Sequence, residues 1–341
     1  MVGADYSRVT DRGFMHSDFG AFPADLTNPI FISPYARPDP SSPFFFPFFN
    51  FDGTFTTKGA YAQLQSTLFD KVHLLGGARL ASIDVNYFEN VPYGLGGLAP
   101  PETFTTEKTK LLPRAGIVVD VLPWLSVYGS YGEGMRWSAF VQAPQVAPEE
   151  SRQYEAGLKY RFNNQLSGTT AVFDIRRTNV PIVVGAGVSA YSEQQSRGYE
   201  TDLVWQPNQN WKFLASYGLT DAEFSDSKTG TPKGNKIPGV PEQSARLWAN
   251  YTFTSEMLKG LSAGAGVYIS SGQYVDNANL YKTGSFHTID AKLAYEVKNY
   301  SLSLHVKNLT GETYFVPYSW FGGQVAPGDA RAVYGTFALK Y

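Results

Sequence analysis

The chain has 341 residues, a formal net charge of -2 and no cysteine. A near-neutral charge without a polybasic run excludes a nucleic-acid partner, which needs lysines and arginines to neutralise phosphates. The lack of cysteine removes disulfides, thiolate metal sites and cysteine nucleophiles together.

Charged residues make up only 17% of the chain while aromatics reach 15%, with 22 Tyr and 24 Phe, a balance that favours strands and membrane-interface girdles. No apolar run approaches the roughly 18 residues of a spanning helix. If the chain crosses a membrane, it does so as strands. The amino end, Met1 to Arg8, carries no apolar core of a signal peptide. An exported barrel needs one, so the start reads as internal to a longer chain.

In chain order, a strand over Val2 to Val9 precedes a long link from Asp11 to Thr54. Within that link, Ser42 to Phe51 concentrates Phe44, Phe45, Phe46, Phe48, Phe49 and Phe51. Local loop packing and the aromatic wall of an extracellular ligand site are the two readings of this stretch. Further long links fall at Val91–Thr103, Met135–Pro148, Val180–Ala190, Asp226–Gly239, Gln273–Thr283 and Thr310–Asp329. Short links alternate with them at Phe69–Lys71, Leu122–Trp124, Asn163–Asn164, Pro207–Asn210, Ser255–Gly260 and Lys298–Asn299. Short turns on one side and long loops on the other are how outer-membrane barrels are built. The spacing predicts 14 strands, with the short turns and both chain ends on the periplasmic side.

Alternation supports those strands. Tyr154, Ala156, Leu158, Tyr160 and Phe162 share one face while Glu155, Gly157, Lys159 and Arg161 share the other. The first face suits lipid and the second a wet lumen. The same pattern recurs over Ala245–Phe253, Ile289–Val297 and Leu302–Lys307. At the end of the chain Val333, Gly335, Phe337, Leu339 and Tyr341 share a face, so Ala330 to Tyr341 reads as a closing strand.

The chemistry-bearing residues do not assemble an enzyme. His16, His73, His287 and His305 lack ligand spacing with a second His or a carboxylate. Glu149 and Glu150 are adjacent on a strand and point to opposite faces, so they cannot share a glycosidic bond. Neither Gly185-Ala186-Gly187 nor Gly264-Ala265-Gly266 is followed by a helix that would cradle phosphate. Ser, Asp and His fall in no nucleophile-elbow context. Arg176-Arg177, near the outer end of a strand, faces either anionic headgroups or the lumen.

Several segments resemble the carboxyl-terminal barrel of TonB-dependent siderophore receptors, most like the ferric-hydroxamate branch. His305 to Tyr314 and Ala330 to Phe337 resemble that family's closing motifs. Arg152-Gln153-Tyr154-Glu155-Ala156-Gly157-Leu158-Lys159-Tyr160, Phe173 to Asn179, Ser196-Arg197-Gly198-Tyr199-Glu200 and Leu75-Gly76-Gly77-Ala78-Arg79 resemble its strands, in consistent order from about Val2 to Tyr341. The resemblance implies an all-β, antiparallel transmembrane barrel in the outer membrane of a Gram-negative bacterium. Residues 1–341 would form one amino-terminally truncated barrel domain with about 14 of the family's 22 strands and no plug.

It further implies an imported ferric siderophore, of hydroxamate type, with no covalent cofactor. The TonB-ExbB-ExbD complex would act through a missing amino-terminal region, outer-membrane lipid would surround the wall, and the barrel-assembly machinery would read the Tyr341 end. A ferric chelate must be held by stacking and a few hydrogen bonds, because its metal positions are occupied. The candidates are Tyr314, Tyr318, Trp320 and Phe321 in the last long loop, then Trp137, Phe140 and Tyr281, with Phe46 from the phenylalanine run. Two alternatives remain: a passive outer-membrane diffusion channel and a soluble β-sandwich binding module. The charged face opposite Tyr154 and Leu158 speaks against the second.

Overall fold

Residues that alternate in polarity with a period of two bury one face and wet the other only as strands. The computed structural model, which describes residues 1–18, 41, 45–89, 102–137, 147–185, 188–226, 232–318 and 323–339, is built from them. In chain order they are β1 (Val2–Asp18), β2 (Phe45–Leu68), β3 (Val72–Glu89), β4 (Glu102–Leu122), β5 (Leu125–Arg136), β6 (Glu149–Phe162), β7 (Leu166–Gly185) and β8 (Val188–Trp205). They continue with β9 (Trp211–Phe224), β10 (Gln243–Thr252), β11 (Leu261–Ser270), β12 (Phe286–Glu296), β13 (Tyr300–Lys307), β14 (Phe315–Tyr318), β15 (Gln324–Pro327) and β16 (Ala332–Leu339). The one helical element among the described residues is a 3-10 turn at Glu256–Leu258.

Each strand pairs antiparallel with the next in a 14-stranded sheet, in which β13 passes directly to β16 and the β14–β15 hairpin stands apart. The strand number expected from the turn spacing is thus observed. The two edges are β1, which pairs with β2, and β16, which pairs with β13 from Tyr300↔Leu339 to Lys307↔Ala332. Among the described residues the closing segment does not pair with Val2–Val9; Tyr341 lies outside them.

The short turns show why they are short. Phe69 and Asp70 (φ 53° and 54°) and Asn163 and Asn164 (φ 45° and 55°) occupy the left-handed region at the centre of tight turns that close on the pairs Leu68↔Val72 and Phe162↔Leu166. Asparagine accepts this conformation at little cost. Phe69 is the unusual choice, and its ring stands 91% exposed.

One face of the sheet is apolar and bare. Leu158 is 41% exposed, Leu64 72% and Phe337 63%, whereas a β-sandwich would cover such residues with a second sheet. Aromatic rings border this face toward the turns: Trp124 stacks on Phe162 with centroids 4.3 Å apart, Trp205 on Phe213 at 5.1 Å, and Tyr300 lies near Phe337 at 6.3 Å. Toward the loops Tyr131 lies 4.9 Å from Tyr154, and Tyr199 lies 6.3 Å from Tyr217. Tyr154 and Phe162 are eight residues apart on β6, roughly 26 Å along the strand. That matches the height of a lipid-facing band between two aromatic girdles. The opposite face is polar: Tyr128 Oη donates to Glu155 (2.6 Å), Gln153 Nε2 donates to the same carboxylate (3.0 Å), and Lys159 Nζ sits 4.9 Å above the Tyr128 ring.

Three expected loops are shorter than their composition suggests. Val180–Ala190 is largely strand, since β7 and β8 pair through Val180↔Ser192 to Gly185↔Val188 after an irregularity at Arg177/Val180. Asn179 (φ 56°) absorbs the kink, and Val180 to Val183 then resume the ladder, with a second irregularity before Gly185. Asp11–Thr54 loses both ends to strands, because β1 continues to Asp18 and β2 begins at Phe45. Phe46 is therefore a strand residue paired with Ser17, not a loop residue. Thr310–Asp329 holds the β14–β15 hairpin.

Candidate functional site

The long loop between β13 and β16 is tied down at its base by one residue. Asn308, 3% exposed and in the left-handed region (φ 47°), donates through Nδ2 to the carbonyls of Glu312 (2.8 Å) and Asp329 (3.0 Å). Its Oδ1 accepts the Glu312 N–H (2.8 Å), and its own N–H donates to Asp290 Oδ1 (2.8 Å). One residue thereby joins the entry and exit of the loop through its side chain and ties them to β12 through its backbone N–H. The asparagine of the closing motif is a structural knot.

Above the knot, Tyr314 stacks on Phe286 with centroids 4.0 Å apart and accepts the Asp329 N–H at its hydroxyl (3.2 Å). Gly328 leaves no room for a side chain, since a Cβ there would fall 2.1 Å from the Tyr314 ring. Phe286 shares its face of β12 with Asp290 and Lys292, so the loop folds over the polar face of the sheet. Tyr314 therefore packs as a structural residue at the base of the loop. Tyr318, at the end of β14, is 48% exposed.

The neighbouring loop, between β11 and β12, meets the last one where the Gly323 N–H donates to the Val275 carbonyl (3.3 Å). It is also clasped to the β9–β10 loop. Asn279 Oδ1 accepts the Lys236 N–H (2.6 Å), Asn279 Nδ2 donates to the Lys236 carbonyl (2.9 Å), and Asn235 Nδ2 donates to the Asn277 carbonyl (2.9 Å). Lys236 also binds the Asp221 carboxylate, and that hydrogen bond raises its pKa above the ordinary lysine value against the opposing effect of burial. Asp276 accepts the N–H groups of Leu280 and Tyr281, which holds Tyr281 at the loop tip with 69% of its surface free.

The structure thus brings Tyr281, Tyr314 and Tyr318 onto two touching loops. Trp137 belongs elsewhere: its ring lies 6.4 Å from Phe55 of β2, far along the sheet from β12 and β13. Trp320, Phe321 and Phe140 lie outside the described residues, and of Phe46 only the backbone is described. The knot at Asn308 and the clasp at Asn279 escaped sequence reasoning because their partners are distant in the chain. The signal that would have found them is asparagine at a turn, the residue type that tolerates left-handed backbone while bonding locally. Among the described residues no group of three or more His, Asp or Glu side chains could hold a metal ion.

Comparison with known proteins fits this architecture. The family model "TonB dependent receptor-like, beta-barrel" matches residues 2–309. The ferrichrome outer membrane transporter/phage receptor of Escherichia coli K12 is 33% identical over 212 residues, covering 58% of this chain and 28% of that protein. The ferrioxamine B receptor of Salmonella typhimurium is 24% identical over 342 residues, covering 95% of this chain and 46% of its own length. Among solved structures, the siderophore receptor PiuA from Acinetobacter baumannii superposes with a TM-score of 0.76 at 22% identity, covering 99% of this chain and 52% of that one. The chain therefore spans about half the length, or less, of these relatives. Its bare apolar band, its polar inner face and the family match together show that the chain belongs to the TonB-dependent receptor-like β-barrel family of the Gram-negative outer membrane, a family of transport receptors rather than enzymes.

Proposed function

We propose that the protein is part of a receptor that binds a ferric siderophore of hydroxamate type at the cell surface and passes it through the outer membrane. The observation that carries the proposal is the pair of touching loops over the polar face, which present Tyr281 and Tyr318 with free ring surface. A saturated ferric chelate offers its binder area, aromatic or amide faces and a few hydrogen-bonding atoms, and two anchored tyrosines supply the complement. Trp320 and Phe321, two and three residues after Tyr318 in the sequence, remain candidates for contact with the same ligand. The relatives named for ferrichrome and ferrioxamine B, both hydroxamate chelates, support the choice of ligand class.

In this proposal residues 1–341 are one barrel domain that supplies the wall and part of the vestibule. The plug and the segment that contacts TonB, driven by ExbB-ExbD, belong to the remainder of the receptor. The aromatic Tyr341 end is read by the barrel-assembly machinery.

Titration of the complete receptor with ferrichrome and with ferrioxamine B tests the reading. Y281A and Y318A are each expected to weaken binding about tenfold, a loss of roughly 1.4 kcal/mol. Y314A is expected to act through the fold, lowering thermal stability as well. Unchanged affinity in both Y281A and Y318A would remove these residues from the site.

A further inference from the structure

Toward the long loops the wall is not zipped to the same height everywhere. β3 stays paired with β4 up to Glu89↔Glu102, and β5 with β6 up to Arg136↔Glu149. Between β4 and β5 the ladder stops at Arg114↔Gly132, although β4 extends to Glu102 and β5 to Arg136. The upper wall is therefore divided into two blades, one ending in β4 and the other beginning with β5, with a seam between them.

Pro113 accounts for the stop. The Asp120 N–H donates to the Lys71 carbonyl, on the β3 side. Backbone groups alternate sides along a strand, so Pro113, an odd number of residues away, aims its nitrogen at β5. It is the first residue beyond the last pair, and it has no N–H to give. On β5 the same alternation turns the Glu133 carbonyl toward β4, because the Trp124 carbonyl accepts from Arg161 on the β6 side. Gly132 and Gly134, which flank Glu133, weaken the strand edge further.

Side chains close the seam instead. Lys110 Nζ lies 2.9 Å from Glu133 and 2.7 Å from Glu150, and Lys108 Nζ lies 2.5 Å from Glu150. Arg114 is aligned through Gly132 with Gln153, so alternation puts Arg114, Lys110 and Lys108 on the polar face. Glu133 and Glu150 share the other face with Tyr131 and Tyr154. The lysines thus reach their carboxylates through an opening that a continuous ladder would fill. The Trp137 ring, just past β5, adds a contact at 6.4 Å with Phe55 of β2. All four charged side chains are partly open to water, where salt screens such pairs.

We infer that the seam between β4 and β5 is a side gate of the mouth, latched by Lys108, Lys110, Glu133 and Glu150, which parts while both blades stay zipped. Openings of low free energy belong to regions held by exposed contacts and few backbone hydrogen bonds, and the seam is such a region. Parting the blades widens the mouth above the polar face. The role of the gate in ligand entry rests on the function proposed above, whereas the opening of the seam does not.

The test uses the complete receptor in detergent, with spin labels at E107C on one blade and R176C on the other. Pulsed electron paramagnetic resonance reads the distance distribution between them, and T10C/E107C, within one blade, is the control. K108Q/K110Q is expected to raise the longer-distance, open fraction about tenfold, the loss of one or two exposed pairs. Salt at about 1 M, where the screening length falls to about 3 Å, should do the same to the native latch, so the outcome does not hinge on a variant's folding. P113A restores a donor opposite the Glu133 carbonyl and should lower the open fraction. With ferrichrome as the probe, association and dissociation are both expected to quicken about tenfold in K108Q/K110Q at unchanged Kd, because a gate alters access to a site and not the site. Distances that stay fixed in K108Q/K110Q and in high salt, or that broaden equally in T10C/E107C, would overturn the seam. Rates that stay fixed while the open fraction rises would overturn its role as a gate. A receptor that binds no ferrichrome would count against the proposed function, and the distances decide the seam in either case.

Discussion

Asn308 shows how much a single buried residue can organise. Its four hydrogen bonds join β12, the start of the last loop and the end of that loop, in a left-handed conformation that asparagine tolerates. N308A leaves buried carbonyls and an N–H without partners and is expected to cost about 3 kcal/mol. N308D keeps the volume but turns the donating nitrogen into an oxygen facing two carbonyls, so it should not rescue. Thermal unfolding of both variants, with protease digestion to locate the opened loop, checks this. Lys236 gives a pH-dependent counterpart. Its folded pKa is raised by Asp221, so its contribution to the clasp is complete below the ordinary lysine value of about 10.4 and is lost as pH rises through the higher folded value. The stability gap between the native protein and K236M should therefore be constant at neutral pH and close only in strong alkali. A gap that closed near neutrality would contradict the assignment.

At the scale of elements, the strands that alternate cleanly are the ones whose sequence announces them. β6, β10, β12, β13 and β16 all fall on stretches of strict polar and apolar alternation. The ends of β1, β2, β7 and β8 do not, because those long strands run on into polar and proline-containing segments. There cross-strand pairing, not periodicity, decides the backbone. The loop end of β5 to β7 depends on another distant partnership: Glu149, 5% exposed, receives Arg136 (2.9 Å) and Arg177 (2.7 Å). E149A leaves two arginines facing each other across β6, and breaking such a buried pair costs about 3 kcal/mol or more. E149Q keeps the shape and should lose less. Hydrogen exchange of the β5, β6 and β7 amides would show the opening confined to that end.

At the scale of the whole molecule, the sheet is a wall with lipid on one side and polar groups on the other. Leu158 lies midway between Tyr154 and Phe162, at the centre of the apolar band. L158R is expected to cost about 2–4 kcal/mol of insertion free energy, the value for an arginine at the bilayer midplane. Equilibrium refolding into vesicles, followed by tryptophan fluorescence, measures it. A similar cost for K159R, on the opposite face, would show that the faces are misassigned.

Strand number, the two-sided character of the wall, the position of the short turns and membership of a receptor family were all legible from the sequence, because alternation and turn chemistry are local. What the tertiary structure alone decided was the work of individual side chains. Tyr314 is spent on packing against Phe286, Tyr281 is held outward by Asp276, and Lys110 is drawn to Glu133 and Glu150 across the seam beyond Pro113. Each of those outcomes depends on strand register and on loops that meet across many residues of chain, and a one-residue change of register would send the same side chains to the other face.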